Sequence, residues 1–307
     1  PRDYPNLYLS IYYQLLLTQD SYEVLLKSYA QAEATFNVVN EKYKLGSVSE
    51  YDKIRADVQV RSLQPYVVSA RNGVNLAKLQ LKVLMGLGQD IDVEIEGNLK
   101  DYESDMFELN RMSAELNLTN NSDLKQLDLN ADMLEKNLKL QKTNFMPTLG
   151  ASYSYSYTSL GDGSPFKNLN WNPYSFVGLN LTIPLFKASN FPKVRQVKIQ
   201  MDQLRETRIN TERMLYMQMS SYLDNMSASS EQVVSNKESV FQAEKGRTIA
   251  QKRYEVGMGT ILELNDSEVA LTQAQLTYNQ SIYDYLVAKA DSEKVLGRDE
   301  GIMEKNK

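Results

Sequence analysis

Thr148-Leu149-Gly150-Ala151-Ser152-Tyr153-Ser154-Tyr155-Ser156-Tyr157-Thr158-Ser159 alternates from end to end. The odd positions carry Leu149, Ala151, Tyr153, Tyr155 and Tyr157, and the even ones carry Thr148, Ser152, Ser154, Ser156 and Thr158. Successive side chains of an extended strand point to opposite faces, so this spacing predicts a strand with one apolar and one small, neutral, polar face. A loop rich in Gly, Asp, Ser, Pro and Asn follows from Gly161 to Asn172. A second alternating run sets Val177, Leu179, Leu181, Ile183 and Leu185 against Gly178, Asn180 and Thr182. Each run has about ten to twelve residues, close to the roughly 9–11 that a tilted strand needs to cross a bilayer. Such a pair can lie as an amphipathic hairpin on a soluble core, or it can belong to a membrane barrel. Three features favour the barrel: the neutral polar face, the absence of another strand-rich region, and the aromatics Tyr153, Tyr155, Tyr157, Trp171 and Tyr174, which suit a membrane interface.

The sequence on either side of this ribbon is helical. From Pro5 to Leu45 the residues Tyr8, Ile11, Leu15, Thr18, Tyr22, Leu25, Tyr29, Ala32, Phe36, Val39 and Tyr43 recur at alternating steps of three and four. That is a heptad seam, the pattern of a left-handed coiled coil of any purpose. Gly46 ends this helix, Ser49 caps the next with Asp52 completing an imperfect capping box, and the return helix stops at Gly86. Pro65 should kink or loosen it. From Leu87 to Asn121 the pattern breaks, with one short strand expected at Asp92–Glu96 and turns at Gly97-Asn98 and Asn120-Asn121. A helix follows from Ser122 to about Asn144 with Leu124, Leu127, Leu134 and Leu138 on one side. Beyond the ribbon, Lys193–Val256 reads as one helix of about 64 residues, roughly 95 Å long. It cannot be stable without lateral partners. A turn at Val256-Gly257-Met258-Gly259 leads to a last helix from Thr260 to Gly297.

The two helical regions are copies of one unit. Moved along by 211 positions, Tyr43 falls on Tyr254, Gly46 on Gly257, Asp57 on Glu268, Gln64 on Gln275, Ala77 on Ala288 and Gly86 on Gly297, with no gap needed. By the same shift, the counterpart of the ribbon would lie upstream of Pro1. The chain opens without Met, which reads as a processed or trimmed product.

Composition removes several classes of function. With no Cys and no His in 307 residues, thiol catalysis, Cys/His metal centres and imidazole acid–base chemistry are excluded. The 34 basic residues are outnumbered by 39 acidic ones, which argues against a general nucleic-acid binder. No apolar run is long enough for a membrane-spanning helix. Neither a cofactor nor a catalytic residue is expected. A carboxylate-dependent hydrolase is a remote alternative, and a soluble coiled-coil scaffold or tether is the main one.

Two tandem helical hairpins with an amphipathic strand pair between them resemble the TolC-like family of outer-membrane efflux ducts. The most specific local match is Arg253-Tyr254-Glu255-Val256-Gly257-Met258-Gly259-Thr260-Ile261-Leu262-Glu263-Leu264-Asn265-Asp266, similar to the family's stretch at the tip of the second hairpin. Asn144-Phe145-Met146-Pro147-Thr148-Leu149 and Leu181-Thr182-Ile183-Pro184-Leu185-Phe186 resemble the entry to and exit from its barrel strands. The resemblance implies a mainly α fold with a β-hairpin: long antiparallel helical hairpins forming an α-barrel, and strands of a transmembrane β-barrel shared by a homotrimer. Each protomer is expected to give four strands, of which this sequence shows two, and the missing pair is taken to lie in absent N-terminal sequence. The division that follows is a truncated first hairpin (1–86), an equatorial region (87–121), a helix leading to the barrel (122–147), a strand pair with its extracellular loop (148–186), a second hairpin (187–297) and a solvated tail (298–307).

The same resemblance implies an outer-membrane location in a Gram-negative bacterium. The protein would project into the periplasm and conduct passively between an inner-membrane pump, of the RND or ABC type, with its periplasmic adaptor, and the exterior. It maps an acidic gate onto Glu263 and Asp266, one helical turn apart. Acids in a first turn are also favoured by the helix dipole alone. The family's lock between hairpins maps onto Asp52 and Tyr254, whose side chains would share a hydrogen bond, while its basic partner falls on Gly259. The surface that meets the adaptor maps onto Gly46, Ser47, Val48, Gly257, Met258 and Thr260, although Gly46 and Gly257 are also plain helix terminators.

Overall fold

The computed structural model describes residues 4–88, 91, 93–107, 117–159 and 171–297. The expected loop from 161 to 170, the tail from 298 and Asp92 lie outside the described residues. The elements are α1 (Tyr4–Lys44), α2 (Glu50–Met85), 3₁₀ segments at Leu99–Phe107 and Leu118–Asn120, α3 (Ser122–Thr143), β1 (Thr148–Ser159), β2 (Trp171–Thr182), α4 (Asn190–Glu255) and α5 (Ile261–Leu296). They form two compact units, residues 1–122 with 213–307, and residues 123–212.

In the first unit the duplication is reproduced at the helix reversals and at the ends of both return helices. Both return helices, α2 and α5, have 36 residues. Each is opened by a complete capping box, Ser49 with Asp52 and Thr260 with Glu263, and each is closed by a left-handed glycine, Gly86 at φ 68° and Gly297 at φ 66°. Asp52 therefore completes the first box in full. α2 continues through Pro65 as one helix. Pro65 is on an exposed stretch, where water can take the bond that its missing N–H leaves open.

Of the α1 seam, Leu15 and Val39 are fully covered and Ala32 nearly so, while Tyr8, Ile11, Thr18, Tyr22, Leu25, Tyr29, Phe36 and Tyr43 are half-buried. Around Leu15 it packs on Ala77 and Leu81 of α2. A larger cluster joins Leu16 and Leu17 to Met226 and Val233 of α4 and to Tyr278, Ile282 and Tyr285 of α5. Residues 93–98 form no strand. A lone strand has no partner for its backbone groups. Val93 and Ile95 instead lean on the α1–α2 core.

The segment Leu99–Phe107 fastens across these helices. Leu99 and Met106 are fully buried, and the Leu99 amide donates to Asp20 Oδ2 at 2.9 Å. Tyr102 meets the Tyr13 ring edge-on at 5.6 Å. Glu103 receives Lys237 Nζ of α4 at 2.6 Å and Tyr278 Oη of α5 at 2.8 Å. Burial acts against its charged form, but the bonds from Lys237 and Tyr278 and the Lys237 and Lys100 charges together outweigh that and hold its carboxyl below the usual range. A depressed carboxyl stabilises the fold at pH above its unfolded value, and that stabilisation is lost as pH falls through the folded one.

In the second unit, β1 and β2 pair antiparallel from Thr148↔Thr182 to Ser159↔Trp171. β2 begins at Trp171, inside the expected loop, and ends at Thr182, so Ile183 and Leu185 fall outside it. Pro184 has no N–H with which to extend the ladder. The root of the ribbon is tied by Asn190 Nδ2, which donates to the Asn144 carbonyl at 3.0 Å, and by the edge-on rings of Phe145 and Phe191 at 5.2 Å. Among the expected α3 leucines, Leu124 is buried and Leu127, Leu134 and Leu138 are half-buried. Arg208 of α4 bridges to Asp128 of α3 at 2.7 Å.

Two stability predictions follow from the first unit. A Cβ at Gly86 would meet open space, whereas one at Gly297 would collide with the Asn120 carbonyl. Gly86→Ala should cost about 1 kcal/mol of left-handed strain, and Gly297→Ala clearly more, by chemical denaturation. Glu103→Gln should lower stability at neutral pH by about 2 kcal/mol, as for a lost hydrogen bond to a charged group. The gap from the parent protein should close as pH falls through the carboxylate range, in melting curves taken from pH 7 to 3.

Candidate functional site: the hairpin tips and the β-ribbon

The two helix reversals are built alike. At the first, Gly46 takes φ 72°, Gly46 N donates to Tyr43 O, and Ser47 N donates to Lys42 O. At the second, Gly257 takes φ 76°, Gly257 N donates to Tyr254 O, and Met258 N donates to Arg253 O. These paired bonds satisfy the last carbonyls of each helix and fix a very short turn. Gly46, Ser47, Gly257, Met258 and Thr260 are exposed. Val48 differs. It is half-buried against Val39, Ala56 and Tyr254, because the turn folds it back onto its own core. Leu45 and Val256, 80% and 70% exposed, are apolar tip residues that the sequence reading passed over. Their equivalence under the 211-residue shift was the available signal.

Glu263 and Asp266 are both exposed and lie a turn apart on α5. Their surroundings differ. Glu263 Oε2 accepts from the Thr260 amide at 3.5 Å and lies 3.7 Å from the Arg253 guanidinium. Glu263 thus serves its own helix start and pairs with a cation of α4. Arg253 supplies a basic group at the tip that the expected alignment left empty at Gly259. Gly259 makes this possible, since a Cβ there would press on the Arg253 side chain at 3.1 Å.

The expected Asp52–Tyr254 hydrogen bond is not made. Tyr254 is buried and its Oη has no hydrogen-bond partner among the described residues. Asp52 Oδ2 instead accepts from Ser49 N at 3.2 Å and Ser49 Oγ at 2.8 Å. The two groups are close enough for the Asp52 charge to add to burial in pushing the Tyr254 phenol up. Lys42 Nζ stands 4.8 Å from the Tyr254 ring centroid. The capping box satisfies an orphan amide and a hydroxyl at once, both through Oδ2.

The ribbon's register sorts its side chains. One face carries Leu149 opposite Leu181, Ala151 opposite Leu179, Tyr153 opposite Val177, Tyr155 opposite Ser175 and Tyr157 opposite Pro173, with Trp171 at the end. This face is aliphatic near the root and aromatic towards the loop. The other face pairs Thr148 with Thr182, Gly150 with Asn180, Ser152 with Gly178, Ser154 with Phe176 and Ser156 with Tyr174. Tyr174 therefore sits on the polar face, apart from Tyr153, Tyr155, Tyr157 and Trp171. The Phe176 ring lies over Gly178, where an added Cβ would come within 2.8 Å of it. The apolar face is bare, with Val177 and Leu179 73% and 77% exposed. Among the described residues the sheet has two strands, so each keeps one edge unpaired there.

Residues 114–298 match the family described as outer membrane efflux protein. The chain belongs to that family. It is 23% identical over 290 residues to the outer membrane protein TolC of Escherichia coli, covering 90% of this chain and 58% of that protein. It is 24% identical over 299 residues to the alkaline protease secretion protein AprF of Pseudomonas aeruginosa, covering 92% and 59%. The chain thus spans rather more than half the length of these relatives. Its fold is similar to that of CusC, with a TM-score of 0.75 at 17% identity over 94% of this chain and 66% of that one. It is also similar to the outer membrane protein VceC of Vibrio cholerae, with a TM-score of 0.72 at 16% identity over 95% and 69%.

Tyr254→Phe tests the tip geometry. Removing a buried hydroxyl that has no partner should leave stability unchanged or raise it by up to about 1 kcal/mol. A loss of about 1 kcal/mol or more in chemical denaturation would mean that the phenol holds the hairpins after all.

Proposed function

We propose that this chain is part of one protomer of a homotrimeric outer-membrane duct of a Gram-negative bacterium. The duct passes substrates to the exterior from a periplasmic adaptor and an inner-membrane pump. The observation that carries this reading is the ribbon: one face is apolar and bare, the other carries small polar residues with Phe176 and Tyr174 among them, and both edges are unpaired among the described residues. A two-stranded ribbon is marginal in water, and in a bilayer every backbone group must be paired, which only a closed barrel achieves for strands. The aliphatic-then-aromatic order on the apolar face suits lipid tails grading into an interface.

The helices support association with further copies. Besides the residues that bury against α1, α2 carries a second stripe, Tyr51, Ile54, Val58, Val68, Leu76, Leu79 and Val83, all exposed in the isolated chain. In a trimer such stripes meet neighbouring helices. Glu263 and Asp266 from three protomers would then form a ring of carboxylates at the constricted end, attractive to cations. Leu45, Val256 and Met258 offer apolar knobs for end-on docking of the adaptor's helices. Energy comes from the pump, so the duct itself performs no catalytic step.

The full-length protein should purify from detergent as a trimer and conduct ions in planar bilayers. Glu263→Gln with Asp266→Asn should lower its cation-over-anion preference several-fold, read as a shifted reversal potential across a salt gradient. A water-soluble monomer without conductance would refute the duct.

A further inference from the structure

Without the Asp52–Tyr254 bond, the contact between the two hairpins has to be carried elsewhere. Next to the tip, the interface of α1 with α5 is apolar, through Val39, Ile261 and Leu264. One turn further along it becomes polar. Glu268 of α5 is only 6% exposed. Thr35 Oγ1 of α1 donates to its Oε1 at 3.4 Å, and the Arg247 guanidinium of α4 lies 3.9 Å from the same oxygen. A turn beyond, Thr272 Oγ1 of α5 donates to Ser28 Oγ of α1 at 2.9 Å. Beside these groups opens a pocket of about 150 Å3, lined in part by Lys27, Gln31, Arg247 and Glu268. That is room for water among polar partners.

This arrangement is not what a permanent joint requires. Taking a carboxylate out of water is costly, and contacts as long as these offset only part of that cost. Burial accordingly pushes the Glu268 carboxyl up, against the opposing pull of Arg247 and Thr35. An apolar side chain would hold the seam more firmly. A polar step instead makes separation easier, because the groups are rehydrated once α1 and α5 part. The other copy of the repeat lacks the feature. Asp57, which corresponds to Glu268, pairs at 2.8 Å with Arg61 on its own helix. The duplicated positions have diverged at the point where one hairpin faces the other.

We propose that Glu268, through Thr35 and Arg247, is a positioning residue that sets how firmly the two hairpins hold together at the closed end of the duct. The proposal rests on the duct reading given above. Its test uses the full-length trimer in planar bilayers, with thermal melting followed in parallel. Glu268→Ala and Arg247→Gln should each raise the resting conductance several-fold. Glu268→Leu, which keeps the seam filled, should lower it below that of the parent protein and raise the melting temperature. Parent-like conductance in all three variants would overturn the proposal, even where melting is lowered, because the residue would then be structural only. A parent protein that carries no current would instead remove the duct reading itself, and the proposal with it.

Discussion

Sideways burial of a narrow apolar seam is the condition on which the helical part of this protein depends. A helix of 66 residues such as α4 has many internal hydrogen bonds, but these exchange for bonds to water at little net gain. What holds it is the stripe that it presses against its neighbours. The stripe is supplied from several elements at once, by Leu16 of α1, Met106 of the 3₁₀ segment, Met226 and Val233 of α4, and Ile282 and Tyr285 of α5. Glu103 adds direction to this burial by fixing how far α4 and α5 stand from the segment that crosses them. The rest of the helical surface is left exposed, the α2 stripe and the tips included.

Much of this was legible in the residue pattern because period and punctuation are local properties. A 3–4 step, a Ser or Thr cap and a closing glycine act within a turn or two of chain, so the helices ended within a few residues of their expected limits. β1 was read to the residue for the same reason. What failed depended on partners distant in sequence. Asp92–Glu96 alternates like a strand, but a strand also needs a neighbour, and the helices offered Val93 and Ile95 a better place. β2 began six residues before Val177 because Ser159 was there to pair with Trp171, which outweighed the turn-forming look of Asn172 and Pro173.

The candidate site shows the same division. Exposure of Gly46, Ser47, Gly257 and Met258 follows from the tight turn, which the sequence announces. The fate of Asp52 does not, because it turns on a partner distant in sequence. Its own helix start, three residues away, is always within reach. Tyr254 lies across an interface, and its hydroxyl finds no partner among the described residues. Local demand wins in the isolated chain. Tyr174 illustrates a subtler limit: aromatic type suggested an interface role, but parity in the ladder decides the face, and parity placed it beside Ser156.

The duplication separates the contacts that both hairpins share from those particular to one copy. Where the two copies agree, at Gly46 and Gly257, Ser49 and Thr260, Asp52 and Glu263, Gly86 and Gly297, the agreement concerns helix reversal, capping and termination. Any long helical hairpin needs these for its turns, whatever else the same side chains do. Where the copies part, each difference alters a contact rather than a helix. Lys42 stands over the Tyr254 ring while its counterpart Arg253 reaches Glu263. Val48 folds into the core while Gly259 clears space for that arginine. Asp57 keeps to its own helix while Glu268 enters the seam. A symmetric pair of hairpins would meet its neighbours identically on both sides. The unequal contacts give the two hairpins of this chain different sides.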